Sequence, residues 1–233
     1  MTELHLVADH SGVAEHQFEL PVGGKQVPGL LWTAPGGDEP RPTVLLGHGR
    51  GGHKRDRYIP NVALRLVRHR GWTTVVLDAP GHGDRRPPGA DLTQLPPRPD
   101  PDQVIREWQA CLRFLQGRHL TDPGDLGYWG LSMGSAMGIP FLAAEPRVRG
   151  AVLGLMHARS ERVRADAARI SCPVLFIVNW DSSWAPRAEA FELFDAIGAA
   201  DKRLHAWPGE HGNVPEEELT ATEELLARYL GAT

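Results

Sequence analysis

Gly130 and Gly134 bracket a serine, Ser132, in the run Tyr128-Trp-Gly-Leu-Ser-Met-Gly-Ser-Ala-Met-Gly138. A serine hydroxyl attacks an acyl carbon only when it is presented on a sharp turn with a base beside it. The spacing G-x-S-x-G supplies that turn, because side chains at the two flanking positions would collide with the strand before and the helix after. The plainer reading of the residue is a helix N-cap, and the five-letter pattern by itself does not separate the two. The surroundings favour the elbow. Asp125-Leu-Gly-Tyr-Trp-Gly reads as a short apolar strand, and Ser135 to Ala144 as a buried helix of small and apolar residues, so Ser132 falls where a strand hands over to a helix.

A nucleophilic serine needs a histidine, and the histidine needs a group that fixes its tautomer. His211 is the foremost of the eleven histidines. It lies in Trp207-Pro-Gly-Glu-His-Gly-Asn-Val-Pro215, a loop after the last strand where glycines leave an imidazole room to turn back. His157 also follows a strand and is the rival base. Asp181, at the end of Val174-Leu-Phe-Ile-Val-Asn-Trp-Asp, is the candidate acid; its alternative is a turn or cap aspartate. Asp166, Asp195 and Asp201 sit in helical or connecting segments and are weaker.

These residues must be positioned by a sheet. Strands are expected at His16 to Val22, Gln26 to Thr33, Thr43 to Leu46, Thr73 to Leu77, in the elbow segment, and at Val148 to Leu155, Val174 to Val178 and Arg203 to Trp207. The first two are joined by Gly23-Gly24 as a hairpin. Between the later strands lie helices. Ile59, Val62, Ala63, Leu66 and Val67 recur at helical spacing, as do Val104, Trp108, Cys111, Leu112 and Leu115. A further helix turns Phe191, Phe194 and Ile197 inward, and a last one spans Pro215 to Leu230. Alternation of this kind demands a mostly parallel sheet, here of eight strands with an N-terminal antiparallel hairpin and helices on both faces. The segment from Leu155 to Pro173 holds one polar helix, Glu161 to Arg169, and leaves no room for a cap domain. The run Arg85 to Asp102, with six prolines, can stiffen one pocket wall.

The 233 residues, 41% hydrophobic and with no composition break or internal repeat, predict one domain over 1–233. A net charge of −4 with scattered arginines gives no footprint for nucleic acid. No basic leader and no membrane-length apolar run is present, and the chain is read as cytoplasmic. Two cysteines are too few for a disulfide framework, and both read as buried thiols.

With those motifs in hand, the sequence resembles the α/β-hydrolase superfamily over roughly residues 16 to 230, and within it the small cap-less carboxylesterases and dienelactone hydrolases. The order Ser132, Asp181, His211 matches the nucleophile-acid-base order of that superfamily. Leu45-Leu-Gly-His-Gly-Arg-Gly-Gly52 looks like its oxyanion loop, Asp78-Ala-Pro-Gly-His-Gly-Asp84 like the turn after the next strand, and Pro208-Gly-Glu-His-Gly212 like its histidine loop. The resemblance implies a Ser132–Asp181–His211 triad and an oxyanion hole built from the backbone N–H groups of Arg50 and Met133. It implies hydrolysis of a small carboxylic ester through an acyl-enzyme, without cofactor or metal, by a monomer or homodimer. Dienelactone hydrolases use a cysteine where this chain has Ser132, so an ester is the expected substrate rather than a dienelactone. Trp180 and Trp184 flank the candidate acid and are expected to wall the pocket; Arg50 either faces solvent or meets a substrate carboxylate.

Other chemistries fit less well. A thioesterase, an amidase or an acyltransferase would share the same triad. A metallohydrolase built from His48, His53, His82 and Asp84 matches no compact ligand spacing. Gly47-His-Gly-Arg-Gly-Gly-His-Lys54 fails as a phosphate loop because His53 separates the last glycine from the lysine. A non-catalytic ligand-binding protein on this fold would be expected to lack a triad member, and none is visibly missing.

Overall fold

Five-residue runs such as Thr43–Gly47, Thr73–Leu77 and Leu126–Gly130 are buried at every position, which is what a parallel strand covered on both faces requires. The computed structural model describes residues 2–36, 39–91, 93–212 and 214–231; Leu92 of the Pro-rich run and Asn213 of the histidine loop lie outside that set. The strands are β1 (His5–Asp9), β2 (Ala14–Val22), β3 (Lys25–Thr33), β4 (Thr43–Gly47), β5 (Thr73–Leu77), β6 (Leu126–Gly130), β7 (Val148–Gly154), β8 (Val174–Asn179) and β9 (Lys202–Trp207). They form one sheet in the order β1-β2-β3-β5-β4-β6-β7-β8-β9. From β5 through β9 all pairings are parallel, whereas β1, β2 and β3 join antiparallel.

The sheet thus has nine strands among the described residues where the sequence pattern predicts eight. The additional one is β1, an edge strand whose residues are mostly exposed, so no alternation of buried and exposed positions marks it. The helices are α1 (Tyr58–Arg70), α2 (Pro101–Gln116), α3 (Met133–Ala144), α4 (Glu161–Ala168), α5 (Arg187–Ala196) and α6 (Glu217–Tyr229). Side chains of α2, α3 and α5 fill the core on one face of the sheet, around Trp108, Leu112, Phe141 and Leu193. Those of α1 and α6 fill the other, around Ile59, Leu66, Leu225 and Leu226. On α5 the expected Phe191 and Phe194 are half-buried and pack against the core around Trp108 and Phe141, and Ile197 just past the helix is buried, while Ala190 and Leu193 are buried beside them. Among the described residues no helix is long and apolar enough to cross a membrane.

What this topology does for function is to bring the C-terminal ends of β4, β6, β7, β8 and β9 to one edge, the place where open α/β sheets bind ligands. The loops there are tied by buried polar contacts. Lys54, 2% exposed, reaches Asp78 just past β5, which is 0% exposed: Nζ to Oδ2 is 2.5 Å, and the Lys54 backbone N–H donates to Oδ1 at 2.8 Å. The exposed Asp84 takes a second contact from the same ammonium. Asp78→Ala strips the ammonium of its buried partner. We expect a loss of about 3 kcal/mol in denaturant unfolding, the low end for a broken buried pair because Asp84 remains; a change below about 1 kcal/mol would show the pair to be dispensable.

Candidate active site

Ser132 sits at φ 58°, ψ −116° between β6 and α3, a conformation that non-glycine residues adopt at a cost. The neighbouring glycines make it reachable. A Cβ on Gly134 would lie 2.4 Å from the Gly47 carbonyl oxygen at the end of β4, and one on Gly130 would lie 2.9 Å from the Gly134 carbonyl carbon. The turn is then clamped: the Ser132 N–H donates to Gly154 O at 2.9 Å, and Tyr128 Oη donates to Gly134 O at 2.7 Å. Ser135, fully buried, is in contact with Gly130 O, Gly154 O and Gly154 N, so its hydroxyl bolts the elbow to the end of β7. The Ser132 hydroxyl makes no capping bond to α3, which removes the plainer reading of that residue.

Instead the hydroxyl meets His211, with Oγ and Nε2 2.9 Å apart. When Nε2 accepts from the serine, Nδ1 carries the proton, and Nδ1 lies 3.2 Å from Ser182 Oγ. Ser182 is 6% exposed and also accepts the Ala185 N–H at 3.1 Å. Asp181, the acid expected from the sequence, is exposed and turned to the base of the loop: its Oδ2 accepts the Gly209 N–H at 2.8 Å, and its own N–H donates to Gly209 O at 3.1 Å. The two are adjacent in the turn after β8, and it is the serine that faces the ring. The rest of the histidine loop is pinned to the same turn, since Asn179 Nδ2 donates to Glu210 O and the Glu210 carboxylate accepts the Ser183 N–H, the Ser183 hydroxyl and the His211 N–H. Burial lowers the His211 pKa below its usual 6.5; the Glu210 charge partly opposes this and the Arg159 charge adds to it. His157 is engaged elsewhere, in a short contact to the Glu189 carboxylate.

Of the two N–H groups expected to form the oxyanion hole, that of Arg50 lies in the loop after β4 and that of Met133 at the first residue of α3. Neither Arg50 N–H nor Met133 N–H has a hydrogen-bond partner among the described residues, whereas Gly49 N–H donates to Tyr58 Oη at 2.7 Å. The loop is held by His48, which is fully buried. Its Nε2 accepts the Ala79 N–H at 3.0 Å, so the proton must be on Nδ1, which donates to Gly49 O at 2.9 Å. Burial pushes its pKa down to about 4 and keeps the ring neutral in that role. His48 and His82 are therefore parts of loop scaffolding, and among the described residues no cluster of three or more His, Cys, Asp or Glu could hold a metal ion.

Two clefts open on Ser132, His211, Leu155 and Arg50. The larger, about 990 Å³, runs along α1 past Tyr58, Trp129, Val214 and Glu216. The smaller, about 410 Å³, runs along the start of α3 past Met133, Met137, Met156 and Trp184. Leu95, Arg98 and Pro99 of the Pro-rich run supply its outer wall. Of the two tryptophans, Trp184 lines this cleft but Trp180 lines neither; its ring lies beneath the Arg187 guanidinium, 4.6 Å from carbon to centroid. Sequence reasoning missed Ser182 and Ser135, both silent in a motif search because a buried serine in a loop has no type or spacing that distinguishes it from a turn residue.

Residues 38–155, just over half of the chain, match the family described as Serine aminopeptidase, S33. No curated protein matches. Among solved structures, the PEG-bound complex of a novel cold-adapted esterase from an Arctic intertidal metagenomic library is 35% identical, with a TM-score of 0.83, covering 96% of this chain and 97% of that one. An acetyl xylan esterase from Paenibacillus sp. R4 (17% identity, TM-score 0.78, 98% and 89% covered) shares the fold. So does a putative dienelactone hydrolase from Klebsiella pneumoniae subsp. pneumoniae MGH 78578 (17% identity, TM-score 0.75, 93% and 99% covered). With its elbow serine at the C-terminal edge of a mostly parallel sheet, this chain belongs to the α/β-hydrolases of the serine aminopeptidase S33 family.

Proposed function

We propose that this protein is a serine hydrolase of small carboxylic esters. The observation that carries the reading is the 2.9 Å contact between His211 Nε2 and a Ser132 hydroxyl held in a strained elbow. As Ser132 Oγ bonds to the acyl carbon, its proton passes to His211 Nε2. The oxygen of the tetrahedral intermediate takes the N–H groups of Arg50 and Met133, donors whose individual loss typically costs about 3 to 4 kcal/mol in the barrier. Collapse breaks the acyl carbon–alkoxy bond, and the His211 proton leaves with the alcohol. Water, deprotonated by His211, then cleaves the acyl-enzyme, releasing the acid and restoring the serine. The esterase at 35% identity over nearly the full length of both chains supports an ester over a thioester or amide.

In this reading the third member of the relay is the neutral Ser182 hydroxyl, and Asp181 is a positioning residue that acts through Gly209. Fluorophosphonate should add one adduct to the wild-type protein by intact mass and none to Ser132→Ala; an unlabelled, folded wild type would defeat the hydrolase reading. Asp181→Asn, whose amide oxygen can still accept from Gly209, should keep kcat within about tenfold of wild type, and Ser182→Ala should lower it about fivefold, the worth of one neutral hydrogen bond. A loss near 10⁴ in Asp181→Asn, the cost of removing a carboxylate bonded directly to the imidazole, would instead put Asp181 on His211 in the working enzyme.

Only neutral His211 can accept the serine proton, and burial favours that form. The kcat/KM profile should therefore rise with pH through a midpoint below 6.5, so that at pH 6.5 more than half of the plateau is already present. A midpoint at or above 7 would contradict an imidazole whose pKa is lowered.

A further inference from the structure

The smaller cleft has an unusual charge pattern. Its floor is apolar, made by Val104, Met133, Ala136, Met137 and Met156, yet three guanidiniums stand on its rim: Arg50, Arg98 and Arg159. Arg50 is aimed by a bond from Nε to Pro96 O at 2.9 Å, and Arg159 by one from Nη2 to Trp184 O at 3.1 Å. Among the described residues, none of the three has a carboxylate within ion-pair distance, and Arg98 has no hydrogen-bond partner. Burial and then the charges of Arg159 and Arg50 lower the Arg98 pKa. Arg159 also acts on His211, so this guanidinium lies within electrostatic reach of the base. A chain of net charge −4 has thus gathered three uncompensated cations around one apolar pocket beside its nucleophile.

The direction of the pocket says which half of a substrate would enter. Met133, the elbow residue whose N–H faces the developing oxyanion, lines the smaller cleft and not the larger. His211, which must protonate the leaving oxygen, opens onto both, so the alcohol can depart through the larger cleft past Gly212 and Val214. An acyl chain laid along Met133 and Met137 would carry its far end toward the arginine rim. Guanidiniums there recognise a carboxylate by paired, charge-assisted hydrogen bonds, which neutral ester groups cannot supply.

We propose that the smaller cleft is an anionic acyl subsite and that the preferred substrates are monoesters of short dicarboxylic acids, hydrolysed to the free diacid and an alcohol. The proposal rests on the ester-hydrolase reading above. The test compares kcat/KM for the monoethyl esters of succinate, glutarate and adipate with ethyl esters of neutral acids of matched length, in wild type, Arg98→Gln and Arg159→Gln. At low salt at least one half-ester should be favoured over its neutral counterpart by tenfold or more in wild type. That ratio should fall about tenfold in each variant, and should shrink as salt screens the exposed guanidiniums. A wild-type ratio near one for all three pairs, or a ratio unchanged in both variants, would overturn the subsite. Calorimetric titration of free adipate and glutarate into Ser132→Ala keeps the question separate from catalysis. Binding that weakens in the arginine variants supports the subsite even if no ester is turned over, in which case the hydrolase reading alone fails. No detectable binding together with a flat ratio rejects the subsite while leaving the hydrolase reading intact.

Discussion

The close approach of three glycine backbones, at Gly47, Gly130 and Gly134, is the constraint on which the rest of the site depends. It lets β4, β6 and the first turn of α3 meet with less separation than any side chain would allow, and so permits Ser132 to hold φ 58°. A strained residue persists only where its surroundings over-determine it. Here they do so through Ser135, whose buried hydroxyl ties the elbow to β7, and through Tyr128, whose phenol reaches the Gly134 carbonyl. The cost of the turn is met by contacts made wholly within the core.

The loops that complete the site follow the same logic at lower stringency. The chain after β4 carries a neutral histidine and a buried lysine, each bonded to the turn after β5, so the segment with the Arg50 N–H is fixed from beneath while its upper surface stays open. The histidine loop is fastened to the turn after β8 by the Asp181 and Glu210 contacts. A donor that must face a transient charge gains most when its position is set before the reaction, since no reorganisation is then needed at the moment of charge development.

The electrostatic surroundings of the imidazole follow from how the turn after β8 packs against the histidine loop. The imidazole rests on a serine hydroxyl, its pKa is lowered by burial, and the charges around it are Glu210 and Arg159 rather than Asp181. Under the acyl-subsite proposal, an anionic substrate would bring a countercharge to the cleft that Arg159 and His211 share.

Much of the arrangement was legible in the sequence because its signals are local. Glycines on both sides of Ser132, a histidine among glycines after the last strand, and apolar runs alternating with helical stripes each reflect a rule that operates over a few residues. Those rules placed Ser132 and His211 on one edge of a parallel sheet, and the structure brings them within 2.9 Å. They pointed to Asp181 by residue type and not to Ser182, whose Oγ lies 3.2 Å from His211 Nδ1, since the direction taken by two neighbouring side chains in a turn is set by what the turn packs against. Nor could they reveal β1, an exposed edge without alternation, or that Arg50, Arg98 and Arg159, each separated by dozens of residues, share one rim. Local spacing determined which residues could react; only the long-range packing of loops decided which of them touch, because contact between distant segments has no period to be read along the chain.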